Sequence, residues 1–281
     1  MIIAIAGKGG TGKTFLAASL ARMYAGHMAG GANTNEGYIP SPGRAYDEPE
    51  KHNRQVYAID ADPCGGLGAA LGLSRDEIES VKPIADMREF FEPGKDDGAL
   101  YLSAPDVNSV GGQYNAMIDG VNFLRMACIK QAGAGCYCQE FGFLQAMINS
   151  MLLGDEDILI LDMGAGIEHL TRGAIKGTDL LLIVSEATRA CIETSRTIRA
   201  LGAGLGVKRI YIVANKIRNE KEEILIRASF HRGELIGLVR ASEIVAEQSI
   251  GIGAKHNPPP FMPLPDIEEL YQNLLSINHN K

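Results

Sequence analysis

The run Gly7-Lys8-Gly9-Gly10-Thr11-Gly12-Lys13-Thr14 satisfies G-x-x-x-x-G-K-[ST], the pattern of a loop that wraps the phosphates of a nucleotide. The glycines let successive backbone N–H groups turn inward around a β-phosphate, and a helix that starts where the loop ends adds its partial positive charge. Gly9, Gly10, Thr11, Gly12, Lys13, Thr14 and Phe15 are therefore expected to line the cradle. Lys13 bridges the terminal phosphates, and the Thr14 hydroxyl holds Mg²⁺. The context agrees: the apolar run Ile2 to Ala6 precedes the loop, and a helical pattern over about 12–25 follows it.

Other polar groups sit where apolar runs end. Asp60-Ala61-Asp62-Pro63 closes Val56 to Ile59, and a carboxylate at the C-terminal edge of a strand faces the ligand crevice of a parallel sheet. Aspartates in such places also cap helices, so for Asp60 both readings stand. Asp162-Met163-Gly164-Ala165-Gly166 follows Ile158 to Leu161, the place of a Mg²⁺-directing aspartate, and its glycines let the segment move when a γ-phosphate leaves. Val213-Ala214-Asn215-Lys216 offers Asn215 to a base, with Lys216 beside it. Guanine-reading loops carry an aspartate three residues after such an asparagine; Arg218 stands there instead, which favours adenine.

Gly133-Ala134-Gly135-Cys136-Tyr137-Cys138 places two thiols one residue apart behind flexible glycines. On a helix they would point to nearly opposite sides, but in a turn or extended piece both sulfurs converge. Two thiolates are half of what Zn²⁺ wants in a tetrahedron or Ni²⁺ in a square plane, and a twofold dimer would supply the other half. The pair also reads as two small residues in a loop. Cys128 and Cys191 lie in helical patterns and read as core. Cys64, just after Asp62-Pro63, has no assigned role.

To position these groups the chain offers short, nearly continuous apolar runs at Ile2 to Ala6, Val56 to Ile59, Leu100 to Ala104, Ile158 to Leu161, Leu180 to Val184, Ile210 to Ala214 and Leu235 to Val239. Such runs fit strands buried on both faces of a parallel sheet. Helical patterns fall between them at about 12–25, 111–132, 140–153, 166–176, 188–204 and 266–276. The expected fold is α/β, a doubly wound, mainly parallel sheet with helices on both faces, carried by one domain over residues 1–281. Gly26 to Arg54 is rich in Gly, Asn and Pro and reads as a surface insertion at about 26–55.

With 27 Lys+Arg against 34 Asp+Glu, the formal net charge is -7 over 281 residues, a poor footprint for a protein that neutralises phosphates on nucleic acid or an anionic membrane. Five cysteines in a chain of this length do not make a disulfide scaffold and fit a reducing, cytoplasmic setting. No run approaches the ~20 apolar residues of a membrane helix.

Lys8, at the start of the phosphate loop, makes the motif resemble the deviant Walker A sequence of the MinD/ParA-like ATPases. That resemblance implies a lysine reaching across a dimer interface to the partner's nucleotide, Asp62 orienting the attacking water, and Asp60 near the Mg²⁺ shell with Thr14 and Asp162. Lys8, Lys13 and Asp62 are then the catalytic residues. Together with Cys136-x-Cys138 and the run Asp162 to Leu170, which includes Glu168 and His169, the loop is similar to that of the CooC-type maturation ATPases of CO dehydrogenase and acetyl-CoA synthase. The resemblance covers residues 1 to about 250 and departs at the insertion. It implies slow, Mg-dependent ATP hydrolysis and an ATP-bound homodimer. It also implies Ni²⁺ or Zn²⁺ held by Cys136 and Cys138 of each chain, and a client nickel enzyme. His169 and Glu168 read as parts of the switch segment.

Two other classes share the loop. A partitioning or positioning ATPase would grip DNA or membrane, against which stand the charge and the acidic segment Asp266-Ile267-Glu268-Glu269. An iron-sulfur electron carrier like the dinitrogenase iron protein uses cluster cysteines far apart in sequence, unlike Cys136 and Cys138.

Overall fold

The computed structural model describes residues 1–29, 55–62, 65–86, 113–126, 148, 156–165, 177–249 and 263–279. Among them, eight strands form one sheet in the order β3-β4-β2-β5-β1-β6-β7-β8. The strands are β1 (Ile2–Gly7), β2 (Val56–Ala61), β3 (Ala116–Ile118), β4 (Val121–Arg125), β5 (Ile158–Met163), β6 (Leu180–Ser185), β7 (Arg209–Ile217) and β8 (Leu235–Arg240). All neighbours run parallel except β3 and β4. The described helices are α1 (Lys13–Ala29), α2 (Leu67–Ala70), α3 (Arg75–Ser80), α4 (Arg189–Gly204), α5 (Glu220–Ser229), α6 (Glu243–Ser249) and α7 (Pro265–His279).

Continuous apolar strands make sense because both faces of the sheet are covered. Ile3, Ile5, Ala58 and Ile160 pack with Leu16, Leu20 and Tyr24 of α1 and Leu270, Tyr271 and Leu274 of α7. Their neighbours Ala4, Ile59, Leu161 and Ile183 pack on the other side with Ile192 and Ile198 of α4 and Ile226 of α5. Successive residues of a strand point to opposite faces, so each central strand feeds two cores at once. The doubly wound α/β expectation holds.

The hairpin of β3 and β4 overturns the helix expected over 111–132. Asp119 and Gly120 take φ of 49° and 78°, the left-handed pair that closes a two-residue hairpin turn. Phe123 and Leu124 behind that turn are fully buried, and Asp119 is fixed by an ion pair with Arg22 of α1 at 3.2 Å. An Asp-Gly turn between apolar runs outweighs the helical spacing around it. Helix α1 also continues through Ala29, beyond the expected end near 25 and into the stretch assigned to the insertion. The rest of the insertion, the expected strand at Leu100 to Ala104 and the helix at 166–176 lie outside the described residues. So does the helix at 140–153, apart from Ile148, which is helical.

The sheet turns its carboxyl edge to one place. Strand β1 lies between β5 and β6, so the winding reverses direction on either side of it, and the crevice at that reversal is where ligands of such sheets sit. Asp60 and Asp162 are register partners on β2 and β5, Asp162 is also paired with Ile5, and Gly7 with Val184 of β6.

Candidate active site

The loop from Gly7 to Gly12 is folded by its own residues. The carbonyl of Lys8 accepts from the Thr11 N–H at 3.3 Å, the Thr11 hydroxyl at 2.9 Å and the Lys13 ammonium at 3.3 Å. Two glycines are required by space as well as conformation. A side chain at Gly7 would meet the Val184 carbonyl at 2.4 Å, and one at Gly12, where φ is +91°, would meet Asn215 Nδ2 at 2.3 Å. Helix α1 begins at Lys13 with no acidic residue in its first turn, so no side chain of that turn offsets its N-terminal dipole. Phe15 packs its ring on the core below, which leaves its backbone N–H as its contribution to the cradle.

Beside the loop stands a buried carboxylate. Asp162 is 1% exposed, and neither of its oxygens accepts a hydrogen bond of regular geometry from a described residue. Burial pushes its pKa up to about 7; the nearby Thr14 hydroxyl and the Lys13 charge oppose the rise, and Asp60 and Asp62 add to it. Lys13 is shifted down by its own burial, against the pull of Asp162 and Asp62. A buried carboxyl group facing a lysine and a threonine hydroxyl keeps capacity to accept from a further partner.

Asp60 is differently placed. Its carboxylate accepts from the backbone N–H of Leu67 at 3.0 Å and of Asp62 at 3.2 Å, tying the loop after β2 to the start of α2. Burial raises its pKa to about 6 against those hydrogen bonds. The bland reading of Asp60, a carboxylate that anchors backbone N–H groups, is what the described contacts display. Asp62 is half-buried at the rim of the crevice, and the Lys8 side chain is exposed. Ala165, after β5, comes within 3.4 Å of where a side chain on Gly9 would begin, so the segment after Asp162 runs close to the phosphate loop.

Asn215 is 5% exposed and donates one Nδ2 hydrogen to the Thr11 carbonyl at 2.8 Å, which ties the end of β7 to the loop. Lys216 reaches the Gly10 carbonyl and pairs with Glu186 at 2.9 Å. Glu186 is the site residue that the sequence reading omitted. Its signal was an acidic residue at the end of β6, whose neighbour Ser185 is in register with Ala214, just before Asn215-Lys216. Cys64, Cys128, Cys136, Cys138, Glu168 and His169 lie outside the described residues. Cys191 is buried in α4, as expected of a core thiol.

The raised carboxyl pKa values give a stability signature. A carboxyl whose folded pKa lies near 7 keeps a proton that the unfolded chain, at about 3.8, has already lost, so the native state binds more protons and stability falls as pH rises across that interval. For Asp162 the expected loss between pH 6 and pH 8 is about 1 kcal/mol in the nucleotide-free protein. Urea unfolding at the two pH values measures it, and Asp162→Asn should flatten that part of the difference.

The carbon monoxide dehydrogenase accessory protein CooC of Rhodospirillum rubrum is 30% identical to this chain over 243 residues, spanning 85% of the chain and 83% of CooC. The chain belongs to the CooC-type, MinD/ParA-like P-loop ATPases. An ATP-binding protein of Methanocaldococcus jannaschii is 32% identical over 227 residues, covering 80% of this chain and 78% of its own length. No protein-family model matches. Among solved structures, the cell division ATPase MinD of Pyrococcus furiosus superposes with a TM-score of 0.62 at 17% identity over 98% of both chains. A plasmid partition protein of Borrelia burgdorferi bound to AMPPNP gives 0.62 at 15%, over 99% of this chain and 98% of its own. These likenesses establish the fold. As a member of this family the protein is an ATPase. None of the described helices is long and apolar enough to cross a membrane.

Proposed function

We propose that this CooC-type ATPase is a nickel-insertion factor for a CO dehydrogenase or an acetyl-CoA synthase, working as an ATP-dependent homodimer. The observation that carries the reading is the orphaned Asp162 carboxylate beside Lys13 and Thr14 in a chain that aligns with CooC over most of its length. The donor set fits Mg²⁺: one carboxylate, one hydroxyl and room for phosphate oxygens and water suit a hard cation that keeps much of its hydration. Asp162 and Thr14 would hold it, with Asp60 behind them anchoring the loop after β2. The cation supplies neutralisation of charge on the β- and γ-phosphates.

This chain's own residues do the rest. Gly9, Gly10, Thr11, Gly12 and Phe15 present N–H groups, and Lys13 places its charge on the terminal phosphates. Asp62, at the rim, orients the attacking water. Asn215 and Lys216 brace the cradle at its adenine side. Lys8, exposed and at the loop's entrance, reaches the nucleotide of the second copy, so that charge needed for slow hydrolysis arrives only in the dimer. Cys136 and Cys138 from each copy hold the Ni²⁺ cargo, or Zn²⁺ in its place. ATP and metal then favour the same paired state.

Anaerobic titration with Ni²⁺, with and without a non-hydrolysable ATP analogue, while solution mass is measured, tests this reading. One metal per two chains, bound only with the analogue and only by the doubled mass, is expected; metal binding by the single chain sinks it. Lys8→Ala should leave ATP affinity within about threefold of wild type, yet lose the ATP-dependent dimer and at least about 100-fold in hydrolysis, the scale of a charge supplied in trans. Equal dimer formation by the variant removes the trans role.

A further inference from the structure

The phosphate loop is held from behind at two successive peptides. Asn215 Nδ2 donates to the Thr11 carbonyl at 2.8 Å, and Lys216 Nζ donates to the Gly10 carbonyl. In a trans peptide the C=O and N–H point in opposite directions. Drawing the Thr11 carbonyl towards β7 therefore aims the Gly12 N–H the other way, to the inside of the loop. Fixing the Gly10 carbonyl fixes the Thr11 N–H, which closes the turn onto the Lys8 carbonyl at 3.3 Å.

The backbone bends to make this reach. The register of β7 with β8 breaks between Ala214 and Ile217, and Lys216 sits at φ 59°, a left-handed conformation that costs a non-glycine residue about 1 kcal/mol. Lys216 is a long, half-exposed side chain, and a single contact to a carbonyl would not order it. Glu186 supplies the second contact, 2.9 Å from Nζ, from the turn after β6. The Glu186 backbone is itself fixed, its carbonyl accepting from the Thr188 N–H at 2.8 Å and the Ser185 hydroxyl at 3.2 Å.

We propose that Glu186, Lys216 and Asn215 form a strut from the ends of β6 and β7 that preorganises the phosphate loop, with Glu186 acting as a positioning residue through Lys216. The proposal rests on the ATP-site reading of the loop and is independent of the dimer and of the metal. Its sign separates it from simple electrostatics. Removing a negative charge near a bound polyphosphate tightens binding by Coulomb's law, whereas removing the residue that aims Lys216 loosens the loop and weakens binding.

The test measures ADP and ATP binding by calorimetry, together with steady-state hydrolysis, for wild type, Glu186→Gln, Lys216→Met and the double variant. Glu186→Gln is expected to weaken ADP about 3- to 10-fold and raise KM similarly, with kcat within about twofold, because it loosens binding without touching the reacting atoms. Lys216→Met is expected to weaken ADP about 10-fold, and the double variant no further, since among the described residues Glu186 reaches the loop through Lys216. Amide exchange at Thr11 and Gly12 in the nucleotide-free protein should quicken in Glu186→Gln while the strand amides keep their protection, which also verifies the fold. Equal or tighter ADP binding by Glu186→Gln, or additive losses in the double variant, overturns the strut while the ATP-site reading stands. A wild type that binds neither nucleotide overturns both.

Discussion

Lys13→Ala abolishes ATP binding at concentrations that saturate the wild type and lowers hydrolysis by at least about 10³-fold, with the fold intact. The first part follows from geometry: Lys13 begins α1, and its ammonium lies at the loop's centre, 3.3 Å from the Lys8 carbonyl and within the field of Asp162 and Asp62. Charge-assisted contacts to phosphate are the strong ones, and at this site they would meet a triphosphate whose own charge must be offset before it could approach Asp162. The fold survives because burial already disfavours the charged form of Lys13. Removing it lifts that penalty while leaving Asp162 to hold its proton more tightly. Fluorescent-nucleotide titration and a thermal melt, run on the same sample, check the two halves. A variant that still binds ATP within tenfold of wild type removes Lys13 from the phosphate site.

Much of this site was legible because its parts are short-range. The glycine-lysine loop is eight consecutive residues, and a parallel strand delivers its last polar residue to the sheet edge whatever the loop beyond it does. Asp60, Asp162 and Asn215 thus came to one crevice on strand ends alone. What each does there was less legible. That Asp60 serves the N–H groups of Leu67 and Asp62, and that Asn215 serves the Thr11 carbonyl, depends on the path of loops whose polar residues carry no periodicity. Glu186 went unnoticed for the same reason, since its partner is Lys216, thirty residues on in sequence and one strand over in the sheet. Helix α5 was missed because among its residues Ile226 alone is buried, and its start is marked instead by the Asn219 cap and the acids Glu220, Glu222 and Glu223. In α3 the marker was likewise a cap, the reciprocal Ser74 and Glu77 box on a helix with no buried residue. The 111–132 segment failed in the opposite direction: apolar spacing suggested a helix, and only the Asp119-Gly120 pair declared the hairpin.

Cys136→Ala or Cys138→Ala each removes two of the four sulfurs that a dimer would bring together, and each is expected to abolish stoichiometric Ni²⁺ or Zn²⁺ binding to the ATP-loaded protein. Tetrahedral thiolate sites are worth roughly 10–16 kcal/mol in all, so losing half the ligands costs on the order of 5 kcal/mol, or about 10³- to 10⁴-fold in affinity. The same arithmetic distinguishes a shared cage from a clip within one chain. A clip would bind one metal per chain, weakly, and without regard to nucleotide. A cage binds one per two chains and, by reciprocity, lowers the ATP concentration needed for pairing by the same factor by which ATP tightens the metal. Lys13→Ala, which cannot load ATP, should then bind metal as poorly as the cysteine variants although both its thiols are present. Anaerobic competition against a chromophoric chelator, with solution mass followed in parallel, reads all of these at once. Undiminished metal binding by the Cys136→Ala/Cys138→Ala double variant refutes the cage and leaves the ATPase to act on its client by another route.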